Sequence, residues 1–292
     1  MNDPALPERE LDRIIAGALA EDAVGNDVTT RLLIAAGLTG SGAVLSKDEG
    51  IACGLEVARR VFLKIDPGLL TQTLVKDGEA VRPGDKLMTV SGRLAGILSG
   101  ERVTLNFLQR LSGIATLTSR FVEQVSGYNV SIYDTRKTTP GLRTLEKYAV
   151  RMGRGQNHRL DLADGVLIKD NHLAVLRKLG MTLPDIVSRA KLGAPPGLRV
   201  EVEVTSIKEA LEAAGAGADI IMLDNMSLED MKEAVTLIAG RALVEASGGI
   251  DLSNVRKVAM TGVNIISIGA LTHSYRSLNM SLEIDPGSVK SG

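Results

Sequence analysis

From about residue 125 onward the sequence alternates short apolar runs with amphipathic segments that open on capping residues, and few folds tolerate that alternation. The apolar runs lie at 130–133, 166–168, 199–204, 219–223, 242–246 and 264–268. Ser206 with Glu209, and Ser227 with Asp230, mark helix starts between them, because a serine hydroxyl accepts an amide N–H that the first helical turn leaves without a partner. Strands joined by helices need crossover connections, which are right-handed and give a parallel sheet. Six such units in about 150 residues predict an α/β fold of the β/α-barrel type, with an open doubly wound sheet as the other arrangement of the same pattern.

The first hundred or so residues read differently. Residues 75–78 read as a strand running into a tight turn, 82–85 (Arg-Pro-Gly-Asp) as a second turn, and 86–90 as the next strand. That pattern predicts a small α+β domain with a largely antiparallel sheet. Leu11, Ile14, Ile15, Ala18 and Leu19, behind the acidic Asp3, Glu8 and Glu10, predict an amphipathic surface helix rather than a signal peptide. Helical periodicity returns between 97 and 125, with Val103, Phe107, Leu108, Leu111 and Ile114 in step. The alternating stretch 278–284 reads as a strand returning to the first domain. The expected division is therefore 1–112 for the N-terminal domain, rejoined by 275–292, and 113–274 for the barrel.

Charge narrows the function. The 292 residues carry a formal net charge of -1, yet eight of the 34 lysines and arginines and two of the three histidines fall within 133–172. A cationic block on a neutral chain suits a small, multiply charged anion, whereas nucleic acid calls for a broadly basic surface. Trp is absent and aromatics are scarce, which argues against stacking platforms for single strands. No apolar run approaches the roughly 20 residues that span a bilayer. The lone Cys53 can form neither an internal disulfide nor a cysteine-rich metal site, so a small buried hydrophobe in a reducing cytosol is expected.

The residues that end the strands carry the chemistry. In a parallel β/α protein every strand end gathers at the carboxyl face of the sheet. Asp134, Thr135, Arg136 and Lys137 follow the first run, and Lys169, Asp170 and Asn171 the second. Glu203 ends the third, Asp224 follows the fourth, Ser247-Gly248-Gly249 the fifth, and Ile268-Gly269-Ala270 the sixth. The late glycines suit phosphate, since backbone N–H groups can approach its oxygens closely; two ordinary turns would use the same residues. Glu201 and Glu203 share one strand face, where carboxylates must pair with cations or metal. With Asp224 they suit ribose hydroxyls and a hydrated Mg²⁺. Arg136, Lys137, Arg159 and Lys169 with His158 suit a carboxylate-bearing ligand, which arginine can grip through two parallel hydrogen bonds. Arg143, Lys147 and Arg151 recur every four residues and read as the polar side of a helix. His172 and His273 read as supporting rather than catalytic residues.

The stretches 134–143 (Asp-Thr-Arg-Lys-Thr-Thr-Pro-Gly-Leu-Arg), 157–159 (Asn-His-Arg), 167–172 (Leu-Ile-Lys-Asp-Asn-His), 201–204, 222–225, 245–250 and 269–273, with 100–106 upstream, resemble the quinolinate phosphoribosyltransferase family, the carboxylating nicotinate-nucleotide pyrophosphorylases. The resemblance covers nearly the whole chain. It implies an N-terminal α/β sandwich, an incomplete β/α barrel of seven strands, and a homodimer in which Arg102 reaches into the partner's site. It implies that Arg136, His158, Arg159 and Lys169 hold quinolinate, and that Thr135 belongs to the substrate-binding set. Lys137, Glu203, Asp224, Ser247, Gly248, Gly249, Ile268, Gly269 and Ala270 would then serve phosphoribosyl pyrophosphate and its Mg²⁺, with Lys137, Lys169, Glu203 and Asp224 as the catalytic set. The implied reaction gives nicotinate mononucleotide, pyrophosphate and CO2 for NAD biosynthesis, in the cytoplasm, with no nucleic acid or membrane partner. One departure stands out: the glycine-rich run before Asn157 here reads Gly153-Arg154-Gly155-Gln156.

Overall fold

The computed structural model describes residues 6–291, so Asp3 lies outside the described residues. The chain divides into two compact units: one takes residues through Ser119, Thr138–Arg154 and the tail from Ser274, the other Arg120–Lys137 and Gly155–His273. Residues 138–154 group with the first unit by their contacts.

The first unit opens with helices α1 (Glu8–Glu21) and α2 (Val28–Leu33). Strands β1 (Thr39–Ser46) and β2 (Gly50–Ile51) lead to helix α3 (Leu55–Ile65). Then come β3 (Leu70–Thr73), β4 (Ala80–Val81), β5 (Lys86–Arg93) and the long helix α4 (Leu94–Gln124). The strand expected at 75–78 lies earlier, as β3. That strand sits at the sheet edge with Leu70 73% exposed, so it needs no apolar face and gives no apolar signal. The tail strand, Met280–Ile284, pairs antiparallel with β1 and completes a four-stranded sheet in which β1 is flanked by that strand and β5, with β3 outside β5. Burial alternates along β1, and its Val44 packs with Phe62, Leu87, Met88, Ile97 and Leu108 in one fully buried cluster.

Helix α5 (Arg143–Met152) belongs to this unit and corrects one expectation. Lys147 is buried, not solvated. Glu146 beside it has no exposed surface and accepts from the Arg110 guanidinium and from the Thr139 N–H at 3.0 Å. The Tyr148 hydroxyl donates to Asp77 at 2.7 Å. The helix end approaches α4 so closely that a Cβ on Gly153 would lie 2.3 Å from the Ala115 carbonyl oxygen. Only glycine fits there.

The second unit is the alternating half. Its strands are β6 (Ser131–Tyr133), β7 (Val166–Ile168), β8 (Val200–Val204), β9 (Ile220–Asp224), β10 (Leu243–Ser247) and β11 (Ile265–Ser267). Helices α6 (Asp170–Lys178) and α7 (Leu183–Gly193) follow β7. Helices α8 (Ile207–Gly215), α9 (Leu228–Ile238), α10 (Val255–Ala259) and the short α11 (Ala270–His273) follow the next four strands in turn. Ser206 and Ser227 cap α8 and α9 by accepting the N–H groups of Glu209 and Asp230. The sheet runs β6-β11-β10-β9-β8-β7, all parallel. It holds six strands, against the seven that the family resemblance implies. Beyond β6, Gln156 makes a single parallel bridge to Tyr133.

Candidate active site

Strand register assembles the site in layers. On β8, Glu201 and Glu203 fall on one face, and the pairings set Glu203 opposite Met222, Asp224 opposite Ser247, and Ser247 opposite Ser267. Glu203, Met222, Asp224, Ser247 and Ser267 line one cavity of about 640 Å³ at the carboxyl end of the strands, whereas Glu201 lines a smaller one beside His158. Thr135, Arg136 and Lys137 line it from the turn after β6, and His158 and Arg159 from the segment before β7. Lys169 enters from the end of β7, and Gly248 and Gly249 from the turn after β10. Residues more than a hundred positions apart thus converge on one space that holds cations, carboxylates and glycines together.

Local geometry explains how each group is held. Asp134, fully buried, accepts the His158 N–H at 2.8 Å and the Asn157 side-chain amide at 2.6 Å, fixing the chain that carries Arg159. The Thr135 hydroxyl accepts the Lys137 N–H at 3.0 Å, and Thr272 donates to the Lys137 carbonyl at 2.8 Å. The His172 ring accepts the Lys169 N–H at 2.9 Å, so this histidine caps α6. Gly248 has φ 92, and a Cβ there would meet the Asn225 side chain at 2.3 Å. A Cβ on Gly269 would sit 3.0 Å from the Lys137 side chain. The turn at Gly248 therefore needs glycine, whereas at Gly269 the neighbouring side chains would have to give by a few tenths of an ångström.

The electrostatics suit an anionic ligand with a metal. Burial and the neighbouring Arg136 charge lower the Arg159 pKa, a sign of cations crowded without enough anions. The buried Arg136 Nε has no hydrogen-bond partner among the described residues, nor does the buried Ser267 hydroxyl. A bound carboxylate would satisfy the arginine. Burial raises the Glu203 pKa, and the charge of Asp224 raises it further, with Lys169 at 3.9 Å as a partial counterweight. Two carboxylates with surplus negative charge fit a hydrated divalent cation. His158 stands apart: its Nε2 lies 3.1 Å from Glu201 and 3.5 Å from Glu245.

Four expected residues lie elsewhere. Ile268 is buried and does not line the cavity, Gly269 precedes and Ala270 opens α11 without lining it, and Arg102 is exposed on α4. Four lining residues lay outside the expected set: Leu167, Met222, Asn225 and Ser267. Glu245, within one of the family-like stretches, had no role of its own, although a carboxylate within the apolar run Val244-Glu245-Ala246 carries the same signal as Glu201.

A parallel α/β unit that sets a cationic patch beside carboxylates and glycine turns defines a transferase-type site for phosphorylated, carboxylate-bearing substrates. The comparisons with known proteins make it particular. The family model "Quinolinate phosphoribosyl transferase, C-terminal domain" matches residues 114–283, and the N-terminal domain model matches 27–112. The chain is 40% identical over 298 residues to a mitochondrial quinolinate phosphoribosyltransferase (decarboxylating) of Nicotiana tabacum, covering 97% of this chain and 84% of that protein. It is 42% identical over 241 residues, 82% of each chain, to a probable nicotinate-nucleotide pyrophosphorylase (carboxylating) of Bacillus subtilis. The crystal structure of NadC from Streptococcus pyogenes matches with TM-score 0.90 and 41% identity, covering 96% of this chain and 98% of that one. The chain belongs to the quinolinate phosphoribosyltransferase family. No helix among the described residues is long and apolar enough to cross a membrane.

Proposed function

We infer that this protein transfers the phosphoribosyl group of phosphoribosyl pyrophosphate to quinolinate with loss of CO2, giving nicotinate mononucleotide and pyrophosphate for NAD biosynthesis. The observation that carries the reading is the convergence of Arg136, Arg159 and Lys169 with Glu203, Asp224 and the 247–249 turn on one cavity. Arg136 and Arg159 grip the two adjacent carboxylates of quinolinate and aim its ring nitrogen at the ribose C1. As that nitrogen attacks, pyrophosphate leaves and positive charge develops on the sugar, which Glu203 and Asp224 stabilise. Mg²⁺, when bound, neutralises the leaving pyrophosphate, and Glu203 and Asp224 would hold it through water or substrate. Lys137 and Lys169 add cationic charge toward the phosphates and the carboxylates. Once the nitrogen is quaternary, its positive charge stabilises the electron pair left on C2 when the 2-carboxylate departs as CO2, and C2 then takes a proton from solvent. No covalent nucleophile is required.

The seventh stave of the barrel is the short stretch around Gln156. The 1–112 and 113–274 division, with the 275–292 return, describes the two family domains. The enzyme works in the cytoplasm as a homodimer with Arg102 of one protomer completing its partner's quinolinate pocket, and Ile268, Gly269 and Ala270 back the phosphate turn. Purified protein given quinolinate, phosphoribosyl pyrophosphate and Mg²⁺ should release CO2 and pyrophosphate; a folded enzyme without turnover would overturn the reading. Arg102→Ala and Arg136→Ala chains, each inactive, should regain activity when mixed. No recovery despite verified subunit exchange would refute the shared site.

A further inference from the structure

Two glutamates lie inside the parallel sheet where the transfer reaction does not call for them. Glu201 on β8 is 4% exposed and Glu245 on β10 not at all. One oxygen of Glu201 and both of Glu245 have no hydrogen-bond partner among the described residues. Buried carboxylates in that state are costly unless a cation faces them. The group they share is the His158 imidazole, whose Nε2 lies 3.1 Å from the Glu201 carboxylate and 3.5 Å from that of Glu245. All three line a smaller cavity of about 250 Å³, and His158 lines the larger one as well.

We propose that Glu245, with Glu201, is a positioning residue for the anion pocket: the two carboxylates fix the His158 ring and hold it as a cation at the floor of the quinolinate-binding cavity. The proposal rests on the reading of that cavity given above. His158 then acts less as a direct ligand than as a buried charge that favours a dicarboxylate above it.

The groups facing the ring decide its state. Glu201 comes from β8, Glu245 from β10, and Tyr133 from β6 meets it edge-on at 6.4 Å. Arg159 follows it in the chain, Asp134 holds its backbone N–H, and Asp164 and Arg199 line the smaller cavity. Burial is the largest single influence and favours the neutral ring, as does the Arg159 N–H 2.9 Å from Nδ1. The two carboxylates together outweigh burial and push His158 up to about 10. A neutral ring would leave Glu201 and Glu245 with no cation between them, and burial already raises the Glu201 pKa. A pKa raised above its unfolded value gives stability that is complete below pH 6.5 and is lost as pH rises through about 10.

The chain has three histidines, so ¹⁵N-imidazole labelling of the full-length enzyme can resolve His158. The ring should remain doubly protonated through neutral pH. In Glu245→Gln it should become neutral at lower pH, the quinolinate KM should rise about tenfold, and the KM for phosphoribosyl pyrophosphate should stay within about twofold. Glu245→Asp should restore most of the loss. A neutral His158 in the native enzyme would overturn the proposal, and that titration needs no variant to fold. Stoichiometric zinc bound by the three side chains would overturn it equally. Because the titration needs no turnover, failure to bind quinolinate refutes the cavity reading, whereas a neutral ring refutes the role of Glu245 alone.

Discussion

Gly248→Ala tests whether the turn after β10 is a phosphate cradle. The position has φ 92, where an L-residue costs about 1–2 kcal/mol more than glycine. The added Cβ would lie 2.3 Å from Asn225 Oδ1 and 2.5 Å from its Cγ, well inside contact distance. Asn225 must swing away, and its amide then releases Asp224, to which it donates at 3.0 Å. Crowding of this kind costs about 1–3 kcal/mol, so the two effects together reach about 2–5 kcal/mol. The turn is only partly buried, so the free protein can relax and recover much of that, while a bound phosphate demands the original shape. The deficit should then appear in affinity for phosphoribosyl pyrophosphate, weakened at least about thirtyfold at 1.4 kcal/mol per decade. Quinolinate affinity should stay within about twofold. Calorimetric titration of each substrate, with a urea melt as control, makes the measurement. Unchanged phosphoribosyl pyrophosphate affinity with unchanged stability would refute the cradle.

Glu146→Gln should destabilise the protein by about 2–4 kcal/mol, read as a lower urea midpoint at pH 7, because it strips Arg110 of its buried counter-charge; a loss under about 1 kcal/mol would count against that pair. Arg154→Gly should change stability by about 0 to +1 kcal/mol, since Arg154 is exposed at φ 67 and glycine relieves the left-handed strain; thermal melts check it, and a fall in kcat/KM would mean the side chain serves the site. Chelation should abolish turnover and added Mg²⁺ restore it, and Glu203→Gln should raise the Mg²⁺ needed for half-maximal rate on the order of tenfold. Turnover that survives chelation would remove the metal from the scheme.

What the sequence discloses depends on whether a local rule or a distant contact decides. The six apolar runs became strands almost where they were read, because a buried parallel strand announces itself by composition, and Ser206 and Ser227 became caps because capping is local. Strand ends then had to converge, so Arg136, Lys169, Glu203 and Asp224 were legible as one site without any measured distance. Helix α5 was misread because helical spacing says which side chains share a face but not what that face meets. Its carboxylate is matched by an arginine thirty-six residues away. Gly153 shows the same limit: its demand for glycine comes from the Ala115 carbonyl on another helix. That contact also separates two neighbours in the one run where this chain departs from the family pattern. Gly153 is fixed by close packing, whereas Arg154, exposed and strained at φ 67, meets no comparable constraint. A chain can admit arginine at the second position at a modest local cost, and no side chain at all at the first.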